Sequence, residues 1–215
     1  METKEFIGRY FQNARLIIDE LEKQTDQIEK IVKILFDAWK TGSPVYILGN
    51  GGSASTASHL AADLVKTIND VPGKRGIRAI TPWDNTPLIS AIVNDRPKED
   101  YFAAWLDTFL IDRDEAQYTP VGVGISVHGG SGTDFGGKWS QNLLKGLQYV
   151  RDRGGLTIGL SGFDGGPMAK MVDAAVVVPV TERDLGTPLV ESFHVVVHHL
   201  IVFRLKEMIK ALGAC

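Results

Sequence analysis

Apolar positions along the chain follow two rhythms. Between residues 3 and 40 they recur every three or four places: Phe6, Tyr10, Phe11, Ala14, Ile17, Ile18 and Leu21. Past a polar patch at 23–27 the stripe resumes at Ile28, Ile31, Val32, Leu35, Phe36 and Trp39. That period marks an amphipathic helix, and the patch predicts two helices or one bent helix. Thr41-Gly42-Ser43-Pro44 ends it. Short continuous apolar runs then appear at 45–48, 77–81, 121–127, 156–160 and 174–180. Runs of that length between Gly, Pro and Asn predict buried strands. Helical spacing returns from Ser53 onward, over 88–93, 101–110 and 139–153, briefly around 168–172, and last over 189–212, which is apolar nearly all round. Residues 94–97 and 183–188 read as loops.

Strands alternating with helices predict an α/β fold: a five-stranded parallel sheet of flavodoxin-like type in a three-layer αβα sandwich, with an N-terminal helical arm. Ligands of such sheets bind at the carboxyl ends of the strands, where the Gly-rich loops of this chain converge. The arm packs on its own chain's core or forms an oligomer interface; the pattern alone allows both.

Composition narrows the partners. At 215 residues, 44% hydrophobic and 23% charged, the chain has material for one core, with or without an appendage. A net charge of −3 gives no reason to expect nucleic acid. A single cysteine, Cys215, rules out an internal disulfide framework and fits a reducing cytoplasm. No apolar signal segment opens the chain, and no apolar run approaches the ~20 residues of a membrane helix, so neither secretion nor membrane association is expected.

The chemistry gathers in two loops. After the first strand run comes Gly49-Asn50-Gly51-Gly52, and Ser53 opens a helix. A strand, a glycine turn and a helix start together form an anion cradle, or simply a turn that needs glycine. Farther along, His59 and Asp63 stand four apart on one helix face. After the third strand run, Ser126-Val127-His128-Gly129-Gly130-Ser131-Gly132 offers two hydroxyls, an imidazole and free N–H groups. It too reads as a phosphate loop or as a structural one. Neither stretch is a dinucleotide fingerprint or a P-loop, so no nucleotide cofactor is expected.

These loops, their order and the Asn94-Asp95 pair resemble the sugar isomerase (SIS) domain, above all the phosphoheptose isomerases, over nearly the whole chain. Gly-Asn-Gly-Gly-Ser-x5-His-x3-acid is the most specific part. The resemblance implies N-terminal helices at 1–43 that serve oligomerisation and an SIS domain at 44–215. It also implies a cytoplasmic homotetramer with sites at subunit interfaces, and isomerisation of sedoheptulose 7-phosphate through an enediolate; some relatives are non-catalytic binding tetramers. It further implies substrate contacts at Asn50, Gly51, Gly52, Ser53, Asn94, Asp95, Ser126, His128 and Ser131. Asp63 and His199 are implied as the catalytic pair, and zinc where present at His59, Asp63, Glu191 and His199. The chain departs from the pattern at Asp63 (usually Glu), Glu191 (usually Gln), and Val127 and His128 (usually hydroxyl residues). Residues 133–141 look inserted and are expected to reshape the pocket.

Overall fold

The computed structural model describes residues 1–110, 118–130, 139–180 and 182–213. Ser131, residues 133–138 of the insertion and Cys215 lie outside the described residues. The polar patch separates two helices, α1 (Thr3–Leu21) and α2 (Thr25–Thr41), through a 3-10 turn at Glu22–Gln24. Then follow β1 (Pro44–Gly49), α3 (Gly52–Asn69), β2 (Arg78–Ile80), α4 (Thr86–Asp95) and α5 (Tyr101–Phe109). The described chain continues with β3 (Val121–Ile125), α6 (Gln141–Asp152), β4 (Leu156–Gly162), α7 (Gly166–Met171), β5 (Ala174–Val178) and α8 (Arg183–Ala211).

All five expected strands form, and they pair in parallel in the order β2-β1-β3-β4-β5. Alternate residues of β1 feed opposite faces: Val45 and Ile47 join a core with α2, α3 and α8, whereas Tyr46 and Leu48 join one with α5, α6 and α7. That period of two makes the three layers. The strand order reverses between β1 and β3, so the crevice beyond their carboxyl ends is the binding position for an open α/β sheet.

Strands β3 and β5 end two residues short of the apolar runs that predicted them, and helix boundaries differ as well. The last helix begins at Arg183 and runs through Pro188, where 183–188 was expected to be loop. Pro188 is the sixth residue, past the first turn, so it forgoes the bond to the Asp184 carbonyl and crowds it; the burial of Leu185, Leu189, Val190 and Phe193 around it offsets that cost. Helix α4 extends to Asp95, so Asn94 and Asp95 end a helix instead of lying in a connecting loop. Helix α6 starts at Gln141 rather than Trp139. The expectation about apolar length also needs correcting. Among the described residues, α8 is long and apolar enough to cross a membrane by length and composition, though 56% of its most apolar window is buried inside the protein, as in a core helix.

One polar group in that core sets a pH dependence. His194 of α8 is buried, its Nε2 lies 3.1 Å from the Ser161 carbonyl oxygen, and its Nδ1 has no partner. The Nε2–H therefore donates, and the ring is neutral. Burial pushes its pKa down to about 4. An unfolded chain takes up that proton near pH 6.5 and the native one resists it, so native stability falls as pH drops from about 6.5 toward 4. The loss reaches roughly 3 kcal/mol. Melting temperatures across that range should fall steeply for the native chain and less so for His194→Gln; equal slopes would refute the assignment.

Candidate functional site

Helices α3 and α8 follow strands of one parallel sheet and run side by side in the same sense. Gly52 at the start of α3 meets Glu191 early in α8, and His59 and Asp63 meet His198 and His199 farther along. The second meeting gathers ionisable groups. Asp63 Oδ2 lies 3.4 Å from His199 Nε2, 3.5 Å from His59 Nε2 and 3.8 Å from His198 Nδ1. His59 Nε2 and His199 Nε2 are 3.4 Å apart. His59 and His199 are roughly half exposed and Asp63 less so, while His198 is fully buried. Burial first, then the neighbouring His199, His59 and His194, pushes the His198 pKa down to about 3, so the ring stays neutral.

This donor set fits a divalent cation. Each of the four residues offers one ligand atom, all within 4.8 Å of one another. Asp63 Oδ2 and both His198 nitrogens are buried without a hydrogen-bond partner, an arrangement that costs stability unless something else satisfies them. Ligands at about 2.1 Å around a tetrahedral ion stand roughly 3.4 Å apart, which matches the separations among His59, Asp63 and His199.

Glu191 stands outside this group. Helical rise separates residues 191 and 199 by roughly 12 Å, and the Glu191 carboxylate lies against Gly52 instead. His198, a neighbour of His199 on α8, is in the group. The residue adjoining His199 was open to notice in the sequence, as was the helical arithmetic that separates 191 from 199.

The first loop lies at the switch point. Asn50 and Asn142 make reciprocal side-chain bonds: Asn50 Nδ2 donates to Asn142 Oδ1 at 3.1 Å, and Asn142 Nδ2 donates to Asn50 Oδ1 at 3.0 Å. The Tyr101 hydroxyl also donates to Asn50 Oδ1. Burial pushes the Tyr101 pKa up to about 12, so it remains a donor. With its oxygen engaged twice, Asn50 has one N–H left to offer a ligand. The Trp83 indole fixes the Gly49 carbonyl at 2.8 Å, and Ser53 is buried in the first turn of α3. Asn142 and Tyr101 carry no local signal; their partner is 92 and 51 residues away.

In the second loop Ser126 is buried, with its Oγ 3.5 Å from Ser140 Oγ. The His128 ring packs on Phe163 at 4.5 Å between centroids. Asn94 and Asp95 are exposed and bond each other, Nδ2 to Oδ1, at 2.8 Å. From the insertion, Trp139 lines a cavity of ≈ 370 Å³ with Ser140, Asn142, Lys98 and Lys145.

Asn142→Ala should raise KM about tenfold, since each lost hydrogen-bond partner of a buried group costs about 1–2 kcal/mol. Tyr101→Phe should do so by a smaller factor. An unchanged KM for both would mean that Asn50 needs no positioning.

The SIS domain model matches residues 9–84. A phosphoheptose isomerase of Geotalea daltonii is 33% identical over 186 residues, 86% of each chain. A lincomycin biosynthesis protein of Streptomyces lincolnensis is 38% identical over 79% of this chain, though the match spans only 58% of that protein's length. A phosphoheptose isomerase structure from Francisella tularensis superposes with a TM-score of 0.80 at 19% identity, over 96% of this chain and 100% of that one.

Proposed function

The chain belongs to the phosphoheptose isomerase family of SIS-domain proteins, and from that premise we propose that it interconverts sedoheptulose 7-phosphate and D-glycero-D-manno-heptose 7-phosphate. The carrying observation is a carboxylate and an imidazole, Asp63 and His199, 3.4 Å apart in a cluster that reaches solvent through the His59 and His199 rings. Moving a proton between adjacent carbons needs a base at carbon and an acid at oxygen. Asp63 takes the carbon-bound proton, and His199 protonates and deprotonates the carbonyl and hydroxyl oxygens. The loops at 49–53 and 126–131 bind the sugar and its phosphate, with Asn94 and Asp95 on sugar hydroxyls. Zinc suits three imidazoles and a carboxylate; His59, Asp63, His198 and His199 would hold it and it would supply Lewis-acid chemistry when bound, so the proton transfers assigned to Asp63 and His199 are those of the metal-free site.

The site is completed by a second copy of the chain. Gly52 and Asp63 are eleven residues apart on α3, roughly 16 Å along its axis, whereas an extended seven-carbon chain measures roughly 8 Å. A ligand seated at Gly52 leaves its carbon chain short of the same protomer's Asp63. The exposed apolar residues Phe6, Phe11, Val196, Leu200 and Phe203, and a groove of ≈ 1280 Å³ between α2 and α8, are the faces for such an assembly, which we take to be a homotetramer. Residues 1–43 supply part of that interface.

A second reading, a sugar-phosphate-binding tetramer without efficient catalysis, draws on Asp63 being a methylene shorter than the family's acid and on Val127 in the second loop. The test is turnover of sedoheptulose 7-phosphate with and without zinc, by protein whose assembly is measured in the same buffer by light scattering. Turnover is expected. Binding without turnover of any heptose, hexose or pentose phosphate would favour the second reading.

A further inference from the structure

Residues 139–142 bridge the two strand-end loops. Asn142 holds Asn50 of the first loop through the reciprocal amide bonds, and Ser140 Oγ stands 3.5 Å from Ser126 Oγ of the second. The Trp139 ring lies 6.2 Å from the His128 ring between centroids, and His128 packs in turn on Phe163. The cavity of ≈ 370 Å³ walled by Trp139, Ser140, Gln141, Asn142, Lys98 and Lys145 opens at this junction. Its volume falls in the range of about 300–1,000 Å³ common to small-molecule sites.

Trp139 is 53% exposed, although folding normally covers most of so large an apolar ring. Its backbone is nevertheless fixed. The Gln141 side-chain amide donates to the Trp139 carbonyl at 3.3 Å. Ser140, next in the chain, has φ of +49°, a left-handed conformation that few residues other than glycine adopt. Among the described residues, Phe163 at +57° is the only other non-glycine residue with positive φ. Both strained residues flank the Trp139–His128–Phe163 row, and such strain collects at ligand sites. Lys145 is answered by Asp100 at 2.7 Å, and Lys98 stands beside Glu99. What the cavity offers a ligand is thus an aromatic face beside hydroxyl and amide groups. That chemistry suits an uncharged polyhydroxylated chain, whose C–H edges cover the indole while its hydroxyls bond the polar wall.

We propose that Trp139 is a specificity residue: its indole covers the carbon chain of a sugar phosphate held at the two loops, and so favours long chains over short ones. Each carbon removed takes a C–H edge and a hydroxyl away from this wall. The inference rests on the reading of the ligand as a sugar phosphate, not on its turnover.

The test uses the full-length protein and its four tryptophans. Trp39 and Trp83 are half-buried and Trp105 is buried, so acrylamide quenches Trp139 most readily. Saturating sedoheptulose 7-phosphate should shield that fluorescence, ribulose 5-phosphate should shield it less, and inorganic phosphate should leave it unchanged. Trp139→Ala should abolish the shielding and weaken sedoheptulose 7-phosphate binding about tenfold, the worth of roughly 55 Å² of covered apolar surface. The preference for seven carbons over five should shrink by the same factor, and affinity for inorganic phosphate should stay as it is. Trp139→Phe, which keeps a ring, should recover most of the loss. Bound sedoheptulose 7-phosphate that leaves quenching unchanged would overturn the inference, as would native affinity in Trp139→Ala or a phenylalanine variant as weak as the alanine one. An equal loss for inorganic phosphate would also overturn it, since a merely structural role predicts that. Should Trp139→Ala not fold, the shielding measurement on the native chain decides by itself. Shielding without turnover would remove the isomerase reading and leave this one standing; turnover without shielding would do the reverse. No binding of sedoheptulose 7-phosphate by folded native protein would overturn the reading of the ligand, and this inference with it.

Discussion

Asp63→Asn is expected to lower isomerase kcat/KM by at least about 10³-fold while the protein remains folded. Asp63 Oδ2 lies within 3.8 Å of three imidazole nitrogens. A positioned proton acceptor contributes on the order of 10²–10⁴-fold to a proton transfer, and an amide accepts no proton at neutral pH. The same change removes the anionic member of the candidate metal group, so metal content by mass spectrometry should fall with activity. Asp63→Glu is the informative companion. An extra methylene drives the carboxylate more than an ångström into the imidazoles around it, and a displacement near 1 Å can cost on the order of 10²-fold. Loss of rate is therefore expected. A large gain would show that the native acid is too short and would favour the non-catalytic reading.

Gly129→Ala is expected to destabilise the fold by roughly 3 kcal/mol and to abolish measurable phosphate affinity. Gly129 has φ of +60°, where an L side chain is strained by about 1 kcal/mol. A Cβ there would meet the Gly165 carbonyl oxygen at 1.9 Å, and backbone cannot swing aside as a side-chain tip can. Overpacking of this kind costs typically 1–3 kcal/mol. The two loops also interlock through the Met168 N–H, which donates to the Gly129 carbonyl at 2.9 Å. Relief of the clash would therefore shift the 126–130 segment that carries Ser126. Urea titration reports the first effect and phosphate calorimetry the second; a variant within 1 kcal/mol of the native chain would show that the loops separate freely.

The arm helices, the strands and most of the connecting helices were legible because their signals are local. Val45 and Ile47 against Tyr46 and Leu48 is a period of two within four residues, and the α1 stripe is a period of three to four. Both follow from where successive Cβ atoms point. The errors are also local in origin. Residues 183–188 read as loop, yet Pro188 sits inside α8, where the burial of its neighbours offsets the lost backbone bond. Asn94-Asp95-Arg96-Pro97 reads as loop, yet only Arg96 onward leaves the helix.

The sequence by itself determined the αβα architecture, the two glycine loops at strand ends, and the pairing of His59 with Asp63 on one helix face. Each depends on residues a few places apart, whose relative positions backbone geometry dictates. Only the tertiary structure decided that His198 joins the cluster and Glu191 does not, that Asn142 and Tyr101 hold Asn50, and that Glu191 reaches Gly52. Those meetings depend on how α3, α6 and α8 dock on the sheet. Docking is set by the packing of dozens of side chains at once, which no short stretch of sequence encodes.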